Sequence, residues 1–119
     1  MSYVDGFLLP VKESGLKTYR RMAEWGRKTW IKHGALDYKE CLGDDLTAKW
    51  GLPYRRMLKL KKGETVVFAF IVFKSRAHRD RVNALVMKEM ASSKEKMPAE
   101  MPFDVKRTGY GGFQTIVGK

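Results

Sequence analysis

The run Val66-Val67-Phe68-Ala69-Phe70-Ile71-Val72-Phe73 most constrains the fold of this chain. It is far short of the ~20 apolar residues that span a bilayer, and too uniformly apolar to leave one face in water. The segment therefore reads as a strand covered on both faces. In a chain of 119 residues, helices are expected to cover one face and a second copy of the protein the other.

That length is the usual size of one domain, so residues 1–119 are expected to form a single domain with a real core. A composition of 44% hydrophobic and 31% charged residues excludes both a membrane-like and a weakly hydrophobic, disordered chain. The start Met1-Ser2-Tyr3-Val4-Asp5 lacks a basic region followed by an apolar one. Cys41 is the single cysteine, so an intrachain disulfide and a multi-cysteine zinc site are excluded. The expected address is the cytoplasm, with no membrane partner.

Lys and Arg number 24 against 13 Asp and Glu, a formal charge of +11, which raises the question of polyanionic partners. The cations are dispersed in short groups such as Arg20-Arg21, Arg55-Arg56 and Lys61-Lys62. Without a long basic run or a recognised nucleic-acid motif, a solvated surface is the favoured reading and a nucleic-acid or polyanion binder a minor alternative.

Tyr3 to Val11 alternates, with Tyr3, Asp5, Phe7 and Leu9 on one face and Val4, Gly6 and Leu8 on the other, a strand expected to end near Pro10. From Ser14, Leu16, Tyr19, Ala23, Gly26, Trp30 and His33 recur at helical spacing, and Gly34 is a natural stop. Leu36 to Leu42 alternates again. Between Gly43 and Gly63 the periodicity fails, and a short helix is expected from Pro53. After the strand from Thr65 to Phe73 or Lys74, Ser75 is placed to cap a helix with the stripe His78, Val82, Leu85, Val86 and Met90. Met87, Met97 and Met101 are expected to fill gaps around that helix and the following connection, which holds Pro98 and Pro102. Thr108 to Val117 completes the set, with Gly109, Gly111 and Gly112 expected to permit a bend or bulge.

Strand, helix, strand, strand, helix, strand is the ferredoxin-like βαββαβ order of an α+β protein, with an antiparallel sheet and both helices on one face. The opposite face would expose more apolar surface than a soluble monomer usually does. Two such sheets packed face to face, as a homodimer forming a dimeric α/β barrel, remove it from water.

The stretches Tyr3-Val4-Asp5-Gly6-Phe7-Leu8-Leu9-Pro10-Val11, Tyr19-Arg20-Arg21-Met22-Ala23 and His33-Gly34-Ala35-Leu36-Asp37-Tyr38 also carry a family resemblance. So do Gly63-Glu64-Thr65-Val66-Val67-Phe68, Lys74-Ser75-Arg76-Ala77-His78-Arg79-Asp80-Arg81-Val82-Asn83-Ala84, Pro102-Phe103-Asp104 and Tyr110-Gly111-Gly112-Phe113. Over nearly its whole length the chain resembles the YbaA-like bacterial proteins, a family of unknown function. That family is similar to the dimeric α/β-barrel superfamily, which includes cofactor-free monooxygenases and haem-handling proteins. The resemblance implies the dimeric barrel and carries over no catalytic residue.

The topology brings several polar residues to one end of the sheet. Asp5, His33 and His78 are the catalytic candidates, and Arg76, Arg79 and Tyr38 the ligand-binding ones, because acid, imidazole and guanidinium groups around a barrel mouth suit an anionic ligand or a proton shuttle. Two arginines near a helix N-terminus oppose its dipole, which an anionic occupant or a carboxylate such as Asp80 would offset. Each residue also has a structural reading as cap, ion pair or packing partner. Asp44-Asp45 lacks a third carboxylate in a known loop pattern, and His33 and His78 lack a third ligand, so no metal or cofactor is expected. The leading expectation is a homodimer that binds or transforms a small, anionic molecule. The alternatives are a regulatory or interaction module using the excursion at 43–63, and the polyanion binder.

Overall fold

Alternation and helical spacing place the elements as follows in the computed structural model, which describes residues 1–47, 49–93 and 101–119. In chain order they are β1 (Tyr3–Lys12), α1 (Leu16–Lys32), β2 (Asp37–Leu42), the one-turn α2 (Tyr54–Met57), β3 (Glu64–Phe73), α3 (Arg76–Ser92) and β4 (Gly109–Gln114). The four strands form one antiparallel sheet in the order β2-β3-β1-β4. This α+β architecture is compatible with the ferredoxin-like arrangement. No helix among the described residues is long and apolar enough to cross a membrane.

The ends of the helices are fixed by local chemistry. Gly34 follows α1 at φ +114°, the left-handed conformation that costs glycine nothing. Ser75 Oγ accepts the His78 backbone N–H at 3.1 Å and caps α3.

One face of the sheet is the core. Leu9, Val11, Val67 and Ala69 pack with Tyr19 of α1, while Ile71 and Phe73 pack with Val82 and Val86 of α3, so both helices lie on the odd-numbered side of β1 and β3. The even-numbered side carries Val4, Leu8, Phe68, Phe70 and Val72, with Phe68 48% and the edge-strand Phe113 61% exposed. At the far end of that side Pro10 and Val66 are buried, and α2 lies against β3.

Three expectations need correction. β1 does not stop at Pro10: the strand continues to Lys12. The N and C=O of one strand residue point to the same side, and the Pro10 carbonyl accepts at 3.4 Å from Asp104 N, which precedes the first β4 residue; the missing N–H therefore interrupts no bond to β3. β4 is not bulged either, since its register runs unbroken from Leu8↔Gly109 to Tyr3↔Gln114. Gly112 is needed for room instead, because the Tyr3 hydroxyl lies where a Cβ would stand. Leu85, assigned to the buried stripe of α3, is 47% exposed. Met97 and Pro98 lie outside the described residues.

Candidate functional site

Between α1 and the sheet lies a cavity of about 210 Å³ walled by large apolar side chains, among them Phe7, Trp25, Trp30, Ile71, Met90 and Phe103. One charged group faces it. Glu40 alternates in phase with Tyr38 and Leu42, so it projects from β2 toward the helices. Its carboxylate accepts from two phenols: Tyr38 Oη donates to Oε2 at 2.6 Å and Tyr19 Oη donates to Oε1.

Burial pushes both phenol pKa values well above the ordinary value, and the neighbouring carboxylate adds to the shift. Tyr19 and Tyr38 are thereby locked as donors, and Glu40 accepts from both. Each carboxylate oxygen keeps a further acceptor position. No Lys or Arg among the described residues lies within ion-pairing distance of Glu40. Gly26 on α1 supports the arrangement, since a Cβ there would stand 2.6 Å from the Tyr38 hydroxyl.

A second, wider hollow of about 520 Å³ shares Tyr19, Ala23 and Glu40 with the first and adds Lys17 and Arg20. The Tyr19–Glu40 bond thus stands between an inner apolar cavity and an outer basic one.

A polar chain leads from the other side of the cavity to the end of the sheet. Trp30 Nε1 donates to Asn83 Oδ1 at 2.9 Å, and Asn83 Nδ2 stands 3.5 Å from Asp5 Oδ2. Arg79 donates to Asp5 Oδ1 at 3.1 Å, to Tyr110 Oη at 3.0 Å and to Tyr3 Oη at 3.4 Å, with its guanidinium over the Tyr3 ring. Arg79 Nε is also 2.9 Å from Asp80 Oδ1. Asp5 is only 1% exposed; burial raises its pKa against the pull of Arg79 and Asn83.

Of the residues singled out from sequence, Asp5 and Arg79 are therefore brought together, and Tyr38 reaches the cavity. The others stand apart. His33 Nε2 is 2.7 Å from Glu89 Oε1, which Lys32 also engages at 2.9 Å. His78 Nδ1 accepts from Lys74 N at 2.9 Å, and its ring lies edge-on to Phe73. Burial, with Lys74 and Arg81 beside it, lowers the His78 pKa. Arg76 is exposed at the first position of α3. The dipole penalty of Arg79 is met by protein carboxylates, Asp5 and Asp80, in place of a bound anion.

Sequence reasoning passed over Glu40 and Tyr19. The usable signal was a carboxylate in phase with Tyr38 and Leu42 on a face expected to be buried, since charges are rarely placed there without a partner.

The family model and the similar sequences agree on one family. The model described as "Protein of unknown function (DUF1428)" matches residues 2–105. The uncharacterized protein YbaA of Escherichia coli strain K12 is 34% identical over 117 residues, covering 98% of each chain, and YbaA of Shigella flexneri matches equally. Among solved structures, the de novo designed protein Foldit4 covers 97% of this chain and 99% of its own, at 8% identity and TM-score 0.48.

Proposed function

The chain belongs to the DUF1428 family of proteins of unknown function, and from that premise we propose that it is a homodimeric α/β-barrel protein that binds a small, largely apolar molecule between α1 and the sheet. The observation that carries this reading is the aromatic-walled cavity of about 210 Å³ with a single carboxylate at its edge. Pockets of this kind, mostly apolar with one or two placed polar groups, are how proteins hold small ligands.

Each Glu40 oxygen already accepts one phenol hydrogen bond, and both phenols hold the carboxylate in a fixed position. That favours an anchoring role over proton abstraction. In this reading Tyr38, Asp5 and Arg79 serve the site, the first at the cavity wall and the other two by fixing Asn83 behind Trp30; His33, His78 and Arg76 serve the ends of α1 and α3. An anionic ligand, expected from sequence, is disfavoured next to Glu40.

Dimerisation is supported by the open sheet face. Phe68 and Phe70, whose rings are 5.9 Å apart, share it with Val4, Leu8 and Phe113, a patch that face-to-face pairing would remove from water. Phe68→Asp should shift sedimentation equilibrium at micromolar protein from dimer to monomer, because an unpaired charge there resists burial. A parent protein that is monomeric in the same range refutes the pairing.

The binding reading is tested with 2-phenylethanol, a neutral probe. It should raise the melting temperature and alter the emission of Trp25 and Trp30, and Ala23→Leu, which fills cavity space on a helix without loss of propensity, should abolish both responses. No response up to millimolar probe refutes it.

An interaction module is the second reading. Trp50 is 88% and Leu52 56% exposed on the excursion after β2, the kind of surface that docks a partner.

A further inference from the structure

We infer that the molecule held in the cavity is an apolar amine, bound as its ammonium ion on Glu40 and enclosed by the aromatic walls. This rests on the binding reading above and adds the charge of the ligand.

Glu40 faces an aromatic cavity and has no cationic partner among the described residues. Its two partners, Tyr19 and Tyr38, are neutral donors and supply no counter-charge. A half-buried carboxylate beside an apolar wall, with no counter-charge in contact among the described residues, is a site where a cation arriving with the ligand gains an ion pair. Lys17 and Arg20 line the outer hollow, and neither is ion-paired with Glu40.

The walls point the same way. Trp30 and Tyr38 lie with ring centroids 6.0 Å apart and tilted, and Trp25 and Tyr19 line the same space. The negative faces of such rings attract an ammonium group, most strongly once it is desolvated. The acceptor positions left on the two Glu40 oxygens suit the three donors of a primary ammonium. A carboxylate ligand meets Glu40 as a like charge, and a neutral alcohol forms at most an ordinary hydrogen bond.

Three probes with one apolar body and different charges separate the outcomes: 2-phenylethylamine, 2-phenylethanol and 3-phenylpropanoate, titrated by calorimetry at pH 7 into the full chain. The amine should bind at least about ten-fold more tightly than the alcohol, the margin of a charged hydrogen bond over a neutral one, and the acid should bind weakest. In Glu40→Gln the amine-to-alcohol ratio should fall to near one, with circular dichroism verifying the fold. If amine and alcohol bind alike to the parent, the cavity reading stands and the amine assignment is overturned. If the acid binds best, the assignment is overturned in favour of the basic outer hollow. If none binds, both readings fall. The ranking in the parent needs no variant, so a misfolded Glu40→Gln leaves the test intact.

Discussion

Gly26→Ala is the most informative single change, because two terms of known sign oppose each other at one atom. In a helix interior alanine is favoured over glycine by about 1 kcal/mol. Here the new Cβ would stand 2.6 Å from Tyr38 Oη, so the hydroxyl must retreat by about 0.8 Å to reach an ordinary contact of 3.4 Å. That oxygen lies on the ring axis, and rotating the ring does not move it; the whole side chain has to tilt. A tilt of that size takes it off its 2.6 Å bond to Glu40. A hydrogen bond to a charged group contributes about 1.5–3 kcal/mol, so the net expectation is destabilisation by about 1–2 kcal/mol. Tyr38→Phe removes the obstruction, leaving Cζ at 3.4 Å and Trp30 Cζ3 at 3.6 Å as the nearest atoms. In that background Gly26→Ala should stabilise by up to about 1 kcal/mol. Urea denaturation of the four proteins at one fixed concentration gives the cycle, with a coupling of about 2–3 kcal/mol. The same sign for Gly26→Ala in both backgrounds would refute the packing of Tyr38 against α1.

Two further perturbations address the charge networks. Arg79→Met leaves Asp5 charged and buried with only the neutral donors Asn83 and Tyr110 beside it, and should cost about 3–5 kcal/mol at pH 7. Because the Asp5 carboxyl is already raised by burial, its protonated form is favoured by folding, so this penalty should shrink as pH falls to 4 and grow again as pH rises; a pH-independent penalty in chemical denaturation would contradict it. Arg107 grips Glu64 at 2.6 Å and Asp104 at 2.8 Å and donates to the Leu58 carbonyl at 3.1 Å, tying the tail to the excursion and to β3. These bonds hold the Glu64 carboxyl below the usual range, a contribution present above the unfolded pKa and lost as pH falls below about 4. Arg107→Met should lower stability at neutral pH and flatten that acid loss, readable in melts from pH 3 to 7.

Element types and faces were legible because they follow from local rules. The period-two pattern of β1 put Asp5 and Phe7 on one face with Tyr3 and Leu9, the face that the helices cover, and Gly34 and Ser75 marked helix ends through backbone conformation and capping. What escaped was set by pairs distant in sequence. Asn83 follows Val82 on α3, and nothing nearby announces that it bridges Trp30 to Asp5. Arg107 and Glu64 come from elements whose approach depends on the whole sheet. The glycines of β4 suggested a bulge by composition, whereas Gly112 answers to the reach of Tyr3, 109 positions earlier in the chain.

The strand order has a consequence for how the chain reaches this state. β1 and β3 are the central pair, and their partners, from Lys12↔Glu64 to Tyr3↔Phe73, lie some fifty to seventy positions apart. Local helices form in about a microsecond, but this ladder must first close a long loop whose entropy no early contact repays. The folding rate should therefore be limited by a nucleus that joins the first strand to the middle of the chain. Until it forms, Val66 to Phe73 is an uncharged run without proline that can pair with β2 on one edge and leaves the other open, so the interval before β1 arrives is when the nascent protein is most open to aggregation.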